Sequence, residues 1–544
     1  MKKIILFYSI YLILNTSFLI HNSLCQYQNI IFNVNNNYNP NEPTIMINPK
    51  NTNQIVAGSN IFYINSTDTA ISGYYYSTNS GLNWQGGPLL STIARTAGDP
   101  VVIVDTSGNF YFFTITNWGR TDWLDNLLCL KSTNGGANWF NGVLFGFNNG
   151  RDMDKPWACV DFYHSIYGNN IYVTWTEFDK YHSYSNTDST HIMFSKSTNG
   201  GLSFSQSKRI NSQSGNCRDS TNTVEGAVPC TGPNGEIYVA WAGWSNICFN
   251  KSTDGGNTWL NVEKTIAQQV GGWRGVTGIV TYNGFPITAC DNSNSIYSGN
   301  IYVNWVDQRS GATDQDVWII KSSDGGNNWN VPIRVNTDPP GRNQFFTWMT
   351  IDQKTGYIYC VFYDLRNNPT TMTDVYIARS TNGGSNFINV KADTNPFNMI
   401  NSNLGDYINI SAYNNKVRPI WISSTNYINN IYTAIIDTIN VGINKISDIV
   451  PSSYSLYQNY PNPFNAETKI KFDIQKSVVS SQYSVVTLKI FDITGRYIAI
   501  LMNEQLHPGT YEVTFDGSNL PSGIYFYQLK ADDFVKTKKL LLIK

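Results

Sequence analysis

Short runs of β-branched and aromatic residues alternate with turn-forming Gly, Asn, Asp and Pro along most of the chain. Ile171–Trp175 (IYVTW) and Ile301–Trp305 (IYVNW) are runs of one style, and Ile192–Ser197 (IMFSKS) and Val317–Ser322 (VWIIKS) are runs of another. Short apolar runs bounded by turn residues predict β-strands joined in hairpins. The pattern therefore predicts an all-β protein.

One eight-residue phrase follows the second style of run. In Ser252–Trp259 (STDGGNTW), the Asp254 side chain can bond the backbone two residues on, and the glycine two places later supplies a positive φ. The phrase therefore predicts a hairpin corner. Its six copies begin 55 to 70 residues apart, the period of a repeated supersecondary unit. They are Ser77–Trp84, Ser132–Trp139, Ser197–Phe204, Ser252–Trp259, Ser322–Trp329 and Ser380–Phe387.

The phrase resembles the Asp-box, or BNR repeat, of sialidases and related β-propellers, although four of the six copies carry Asn in place of the Asp. The resemblance implies a β-propeller. In that family the boxes lie at the blade periphery, away from the ligand face. We therefore expect them to be structural, and they leave the activity open.

The number of blades follows from counting units. Six units end in a box, and three further strand-like runs without a box follow, at Tyr407–Ser411, Val417–Ile422 and Ile431–Ile436. The segment Asn29–Asn33 (NIIFN) can supply the missing outer strand and close the ring, which removes exposed sheet edges. We predict seven blades over residues 26–445, with six as the alternative.

Composition and the N-terminus indicate an exported protein. The 544 residues carry a net charge of -1 with only 14% charged residues, so no basic face for nucleic acid is expected. Met1–Lys3, the apolar run Ile4–Ile20 and the Ser23–Cys25 site predict a signal peptide over residues 1–25. An uncleaved anchor is the alternative. No other stretch is long and apolar enough to span a bilayer.

Seven cysteines remain after residue 25, so they cannot all pair. Cys217 and Cys230 flank a polar loop and are the first disulfide candidates, in a compartment that permits oxidation. Cys248 and Cys290 are the next. Because there is no CxxC spacing and there are no nearby histidines, we predict neither a metal cluster nor a cofactor.

We predict a linker over residues 446–454 and a second domain over residues 455–544. Strand-like runs at intervals of about ten residues predict a small Ig-like β-sandwich. The order of four motifs resembles the C-terminal sorting domain of the type IX secretion system. The motifs are Tyr460–Asn465 (YPNPFN), Ile490–Arg496 (IFDITGR), Leu520–Leu529 (LPSGIYFYQL) and Lys538–Lys544 (KKLLLIK).

The second resemblance implies a Gram-negative bacterium and export through the periplasm by the type IX machinery. The protein is then released or attached at the cell surface. A carbohydrate-binding Ig-like module is the alternative for this domain.

Carboxylates stand at the start of the innermost strand in five of the seven predicted blades. Innermost strands begin at the mouth of a propeller channel, so we expect these side chains to face a common axis. Their repulsion must be relieved by protons, by a cation or by basic neighbours such as Lys155. We favour ion pairing over a calcium site. The five carboxylates are Glu42, Asp99, Asp154, Glu225 and Asp406.

The resemblance to sialidases implies roles for several residues in chain order. Asp99 matches the acid/base, Glu225 the partner of the nucleophile and Tyr407 the nucleophile. Arg274 and Arg342 match two sugar-binding arginines, and Asp154 and Trp273 are further candidates for substrate binding.

The family's first arginine is missing, because no arginine precedes Arg95. We therefore predict a protein that binds glycan or protein at the envelope. The alternative is an exo-α-sialidase-like glycoside hydrolase acting on extracellular glycans.

Two further features have structural and binding interpretations. The repeated Asp-x-Arg of Asp307–Arg309 and Asp364–Arg366 predicts ion pairs between blades. Trp123, Trp244 and Trp273 lie in loop-like stretches, where exposed indoles can stack on sugar rings.

Overall fold

The structure is a computed structural model that describes residues 27–544 except 33–37, 64–69, 118–125, 149, 163–165, 221, 275–282, 368–371, 400–402, 426–427, 438–443, 448–449, 477–483, 507 and 518–519. These residues form strands, turns and loops without a helix, which confirms the all-β prediction. Consequently no membrane-spanning helix is found in the described part of the chain. The predicted signal peptide, residues 1–25, lies outside the described residues.

Seven antiparallel sheets follow one another over the described part of residues 28–435. The chain begins with β1 (Gln28–Ile31), and consecutive strands then form sheets 1 to 3. Sheet 1 contains β2 (Tyr38–Ile47), β3 (Ile55–Tyr63), β4 (Ala70–Ser77) and β5 (Gln85–Pro88). Sheet 2 contains β6 (Arg95–Val104), β7 (Phe110–Asn117), β8 (Asn126–Ser132) and β9 (Phe140–Phe145). Sheet 3 contains β10 (Asp152–Val160), β11 (Ile171–Phe178), β12 (Ser189–Ser197), β13 (Lys208–Arg209) and β14 (Gly215–Asn216).

Sheets 4 to 7 repeat the same order. Sheet 4 contains β15 (Glu225–Thr231), β16 (Ile237–Ala242), β17 (Asn246–Ser252) and β18 (Lys264–Gln268). Sheet 5 contains β19 (Ile287–Cys290), β20 (Ile301–Gly311), β21 (Asp314–Ser322) and β22 (Ile333–Arg334). Sheet 6 contains β23 (Gln344–Asp352), β24 (Tyr357–Asp364), β25 (Met372–Ser380), β26 (Ile388–Lys391) and β27 (Phe397–Asn398). Sheet 7 contains β28 (Asn409–Tyr413), β29 (Lys416–Thr425), β30 (Ile428–Ile435) and β1.

The sheets close into a ring. The first strand of each sheet contacts the first strand of the next, and β28 of sheet 7 also contacts β2 of sheet 1. Each sheet therefore radiates from a common axis, which is the architecture of a β-propeller.

The N-terminal strand completes sheet 7, as predicted. Strand β1 pairs with β30, with Gln28 opposite Ile435 and Ile31 opposite Tyr432. The next residue, Phe32, is buried and stacks on Trp84 of the first box at a centroid distance of 4.2 Å. The start of the described chain thus covers the outer edge of the last sheet, which would otherwise be exposed.

The boxes form corners, but with a longer reach than predicted. In the fourth box, Ser252 Oγ accepts the Gly256 N–H at 2.9 Å and donates to Asp254 Oδ1 at 2.8 Å. Asp254 Oδ1 accepts the Thr258 N–H at 2.8 Å, four residues on instead of two. All six boxes share this serine-to-glycine bond and this bond four residues on.

Each box also packs on the preceding sheet. A Cβ on Gly256, which has a φ of 83°, would lie 2.4 Å from Cζ of Phe194 in sheet 3, so the close approach requires glycine. Lys196 of sheet 3 donates from Nζ to the Gly255 carbonyl at 2.7 Å. Lys131, Lys251 and Lys321 make the same bond to the next box. The box is therefore a contact between sheets as well as a corner.

Two further sheets form the C-terminal unit. Sheet 8 contains β31 (Asn444–Ser447), β36 (Gly509–Asp516), β33 (Glu467–Ile474) and β32 (Ser455–Leu456). Sheet 9 contains β35 (Tyr497–Leu506), β34 (Ser484–Asp492), β37 (Gly523–Ala531) and β38 (Phe534–Leu542). One buried cluster contains Phe472 and Val513 of sheet 8 and Leu488 and Tyr527 of sheet 9, so the two sheets form a sandwich.

The chain enters this sandwich earlier than residue 455. Strand β31 pairs with β36, and Asn444 lies opposite Glu512. Sheet 8 therefore includes residues that the sequence assigned to the end of the propeller and to the linker.

The YPNPFN motif covers part of the outer edge of β38. Asn462 Oδ1 accepts the Leu541 N–H, and the Phe464 N–H donates to the Leu541 carbonyl, both at 2.9 Å. The Phe464 carbonyl accepts the Ile543 N–H at 2.9 Å. Phe464 itself is buried against Phe515. The motif therefore fixes the end of the last strand.

No disulfide links the seven cysteines in the described part of the chain, so the two predicted pairs stay predictions. Cys217 lies beside the backbone of Asp179 and Lys180. Cys230 lies in β15 and packs against the cluster between sheets 4 and 5. Cys248 and Cys290 pack into different clusters, on opposite faces of sheet 4. The two members of each predicted pair therefore pack in different surroundings.

The contact between Gly256 and Phe194 generates a stability prediction. Gly256→Ala should lower the unfolding free energy by about 1–2 kcal/mol for positive φ and by about 1–3 kcal/mol for overpacking. Gly341→Ala is the matched control, because Gly341 has a φ of 96° and open space around it. Thermal unfolding checks this expectation, and equal Tm losses in the two variants would contradict it.

Candidate functional site

A β-bulge interrupts the first strand of sheets 1, 2, 3, 4 and 6 near its start. Bulges re-aim side chains, and one residue in each of these bulges has a positive φ. The five residues are Glu42, Asp99, Lys155, Gly226 and Phe346. The repeated bulge therefore lies where the sequence placed its ring of carboxylates. We call Glu42, Asp99, Asp154, Glu225 and Asp406 the acidic mouth.

Lys155 lies among these carboxylates and is itself buried. Its Nζ is 2.7 Å from Asp406 Oδ2, 3.5 Å from Asp154 Oδ1 and 3.9 Å from Asp99 Oδ2. Its backbone N–H also donates to Asp99 Oδ2 at 2.9 Å. One ammonium group therefore balances part of the charge of three carboxylates, in agreement with the predicted ion pairing.

Hydrogen bonds join other parts of the acidic mouth across the axis. Asn60 Nδ2 donates to Glu42 Oε2 at 2.7 Å, and the Asp406 N–H donates to Glu42 Oε1 at 3.0 Å. Asn283 Nδ2 donates to the Asp406 carbonyl at 2.7 Å. Sheets 1 and 7 and the loop before sheet 5 are thereby tied together at the mouth.

Burial and mutual repulsion separate the pKa values of the carboxylates. Burial and Asp99 raise the pKa of Glu42 well above its ordinary value. Burial, opposed by Lys155 and assisted by Asp99, raises the pKa of Asp154 in the same way. For Asp99, burial is outweighed by Lys155 and by hydrogen bonds with Asp154 and Glu42, so its pKa is lowered. Neighbouring carboxyl groups of the acidic mouth thus have pKa values shifted in opposite directions.

Lys155 stays charged despite its burial. Burial lowers the pKa of its ammonium group, but Asp154, Asp406, Asp99 and Glu42 together raise it well above its ordinary value. Removal of this charge would leave the carboxylates without compensation.

Tyr407, the predicted nucleophile, lies on an aromatic floor beneath the mouth. Its ring centroid is 5.0 Å from that of Trp157, which is 4.1 Å from that of Trp348. Its hydroxyl is buried and has no hydrogen-bond partner in the described structure, Glu225 included. Burial, Glu42 and Asp99 raise the pKa of Tyr407. The structure therefore does not activate this phenol.

Glu225, the predicted partner of Tyr407, is 1% exposed, and its Oε2 has no hydrogen-bond partner among the described residues. Burial, Asp219 and Asp154 raise the pKa of Glu225 well above its ordinary value. The nearby Asp219 is the ion-pair partner of Arg274. Arg274 therefore lies at the rim of the mouth with its charge compensated by Asp219.

Arg342 and Trp273, which were both predicted to bind substrate, lie in different environments. Arg342 is exposed in the loop before β23, and its guanidinium donates to the neighbouring Gly341 carbonyl. Trp273 is only 2% exposed, since it packs on Phe285 and donates from Nε1 to the Thr223 carbonyl. Trp273 is therefore buried, whereas Arg342 remains exposed.

The Asp-x-Arg motifs form ion pairs within themselves and not primarily between sheets. Arg309 and Asp307 approach to 2.6 Å, and Arg366 and Asp364 approach to 2.7 Å. Residues two apart in an extended chain lie on the same face, which accounts for the pairing. Only Arg366 has a second carboxylate, Asp338, at 3.8 Å.

Exposed aromatic side chains lie on the same face of the ring as the acidic mouth. Trp244, in the turn between β16 and β17, is 48% exposed. Tyr184 is 77% exposed, and the Arg218 guanidinium lies 5.6 Å above its ring. Sequence reasoning identified Trp244 but missed Tyr184 and Arg218, which occur in loops without a motif. The predicted Trp123 lies outside the described residues.

The described residues contain no group of three or more His, Cys, Asp and Glu arranged to hold a metal ion.

Comparison with protein families assigns the C-terminal unit. Residues 458–544 match the model of the secretion system C-terminal sorting domain. The tail is a type IX sorting domain. This sorting domain directs export and either secretion or attachment at the outer cell surface.

Three solved structures that resemble the chain are distant from it in sequence. A search of curated proteins found no match. A protein of unknown function from Dyadobacter fermentans is 12% identical, with a TM-score of 0.42 and coverage of 76% of this chain and 99% of that one. A polysaccharide lyase of family PL25, an ulvan lyase, is 12% identical, with a TM-score of 0.45 and coverage of 75% and 96%. Trypanosoma rangeli sialidase is 12% identical, with a TM-score of 0.37 and coverage of 93% and 85%. These similarities are too weak to argue for an activity.

Deletion of residues 444–544 should abolish delivery to the cell surface and medium. The deletion removes the sorting domain together with β31, whose sheet belongs to it. Immunoblots of periplasm, surface and medium measure the distribution, with a periplasmic enzyme as the control for lysis. Surface delivery of the shortened protein would contradict the prediction.

The raised pKa of Glu225 predicts a pH dependence of stability. The stability that its protonated carboxyl contributes is fully present below the ordinary pKa of 4.5 and is lost as pH rises through the folded-state value. Glu225→Gln should therefore raise Tm at pH 8, by about 3 °C or more, with little change near pH 4.5.

Glu263→Gln is the control of opposite sign. Burial of Glu263 is outweighed by hydrogen bonds from Ser212 and Gln213, and its pKa is lowered. Its charged form stabilises the fold above the ordinary pKa, so this variant should lose stability at pH 8. The same direction of change in both variants at pH 8 would contradict the assignment.

Proposed function

We propose that the seven sheets within residues 28–435 form a seven-bladed propeller that binds an extracellular glycan or protein on the face of the acidic mouth. The sorting domain delivers this propeller to the cell surface or the medium. The observation that carries the proposal is the state of the predicted catalytic residues, which are all buried. Asp99 is held by Lys155, while Glu225 Oε2 and the Tyr407 hydroxyl have no hydrogen-bond partner among the described residues.

Accessibility supports binding over hydrolysis. Asp99 is 4% exposed and Glu225 is 1% exposed, whereas a glycosidase must bring its carboxyl groups against the glycosidic bond. Exposed groups on this face include Trp244, Tyr184 and Arg218, which suit stacking and hydrogen bonding to a ligand. We therefore place the ligand on the rim of the mouth, the surface formed by Trp244, Tyr184 and Arg218.

The charge of the mouth argues against sialic acid as the ligand. Five carboxylates face one buried lysine, and the nearby Arg274 is paired with Asp219. A sugar carboxylate would meet repulsion here, while recognition of that group needs a free arginine cluster. A neutral or cationic ligand fits this electrostatic field better.

A glycoside hydrolase acting on neutral glycans is the second candidate, and one observation favours it. Asp99 has a lowered pKa while Glu225 has a raised one. Paired carboxyl groups of opposite protonation state are the usual acid and base of glycoside hydrolysis. Hydrolysis would require a conformational change that exposes the carboxyl groups of Asp99 and Glu225.

Binding of the purified protein to an array of neutral, amino and sialylated glycans and to extracellular proteins tests the proposal. Trp244→Ala should weaken binding roughly tenfold, about 1.4 kcal/mol. Ile296→Ala is the control, because Ile296 is 91% exposed in the turn between β19 and β20, on the opposite face. Equal affinity of both variants would contradict a ligand at the Trp244 rim.

Hydrolysis assays with the same glycans separate the two candidates. The binding proposal predicts no release of sugar above the blank, from sialosides or neutral glycosides. Release that Asp99→Asn and Glu225→Gln abolish, while binding persists, would replace the proposal with the hydrolase.

A further inference from the structure

We propose that Cys230 and Cys290 form a disulfide in the exported protein, linking the first strands of sheets 4 and 5. Both side chains pack into the interface between these sheets. Cys290 belongs to the buried cluster that contains Phe249 of sheet 4 and Trp305 of sheet 5, and Cys230 packs against the same cluster.

Neighbouring contacts bring the two cysteines to the same level of the ring. Asn292 Nδ2, two residues after Cys290, donates at 2.7 Å to the carbonyl of Thr231, the residue after Cys230. Strands β15 and β19 are in contact, and both thiols line one channel cavity of about 260 Å³. Burial, the nearby Cys290 and, to a smaller extent, Cys159 raise the pKa of the Cys230 thiol well above its ordinary value.

The other cysteines offer no comparable pair. Cys159 lines the same cavity but packs into the cluster between sheets 3 and 4, and Cys248 lies in that cluster too. Cys129 and Cys360 are buried within strands β8 and β24. Of the three cysteines that line the cavity, only Cys230 and Cys290 share one interface.

The sorting domain supplies the chemical setting, because export carries the chain through a compartment that permits disulfides. The two thiols lose two protons and form one S–S bond. The two electrons reduce the disulfide of a thiol oxidase of the cell envelope to two thiols. Burial raises the pKa of both cysteines, so oxidation precedes closure of the ring, and the closed ring then shields the bond.

Such a bond would close a long loop across a sheet interface. The linked residues are separated by β16 to β18 and by the loop before β19. Crosslinks of distant residues restrict the unfolded chain most, so the bond would secure sheets 4 and 5 against separation outside the cell.

Mass spectrometry of the full protein recovered from the cell surface or medium tests the proposal. Alkylation in denaturant without reductant should modify five of the seven cysteines. Digestion should release a crosslinked Cys230–Cys290 peptide about 2 Da lighter than the two reduced peptides together. Seven alkylated cysteines, or Cys230 crosslinked to Cys159 or Cys217, would overturn the proposal.

Variants provide a second readout. Cys230→Ala should leave Cys290 free for alkylation and lower Tm, and adding Cys290→Ala should lower Tm little further. Cys360→Ala is the matched control, since it removes an equally buried thiol and should leave the crosslinked peptide intact. Additive Tm losses for the Cys230 and Cys290 variants would contradict a bond between them.

Discussion

Each sheet of the ring can bury both of its faces only when a neighbouring sheet stands on either side. Trp175, Trp241, Trp305 and Trp421 occupy second strands of sheets 3, 4, 5 and 7 and are almost completely buried, so their hydrophobic contribution depends on those neighbours. The same dependence makes the junction of sheets 7 and 1 the critical one, because there the chain must meet its own beginning.

The junction is built differently from the other interfaces. Between consecutive sheets from sheet 2 to sheet 6, a lysine of one sheet donates to a glycine carbonyl in the box of the next. At the closure, the fully buried Arg418 donates from Nε to the Ser80 carbonyl of the first box at 2.9 Å and pairs with Asp437 at 2.7 Å. Strand β1 and Phe32 cover the outside. A buried guanidinium with several acceptors is costly to leave unpaired, which favours the closed ring.

Closure of the ring also creates the electrostatics of the mouth. A repeated bulge turns one position of successive first strands toward the axis, where carboxylates that are far apart in sequence become close neighbours. Lys155 then serves as an internal counter-ion, while burial and the repulsion from Asp99 raise the pKa of Glu42. The aromatic groups that remain in solvent on this face, Trp244 and Tyr184, are therefore the ones to which we assign the proposed ligand contact. The sorting domain has its own core, with the edge of its last strand held by YPNPFN.

The sequence by itself determined the all-β class, the six boxes, the closing N-terminal strand and the sorting motif, because each rests on local turn chemistry and strand patterning. It also located the carboxylates at the strand starts, since a repeat puts equivalent residues at equivalent positions. Only the tertiary structure decided that Lys155 joins them, that Trp273 is buried and that Cys230 and Cys290 pack at one interface. These outcomes depend on which faces of neighbouring sheets meet, and contacts across sheets leave no trace in a local pattern of residues.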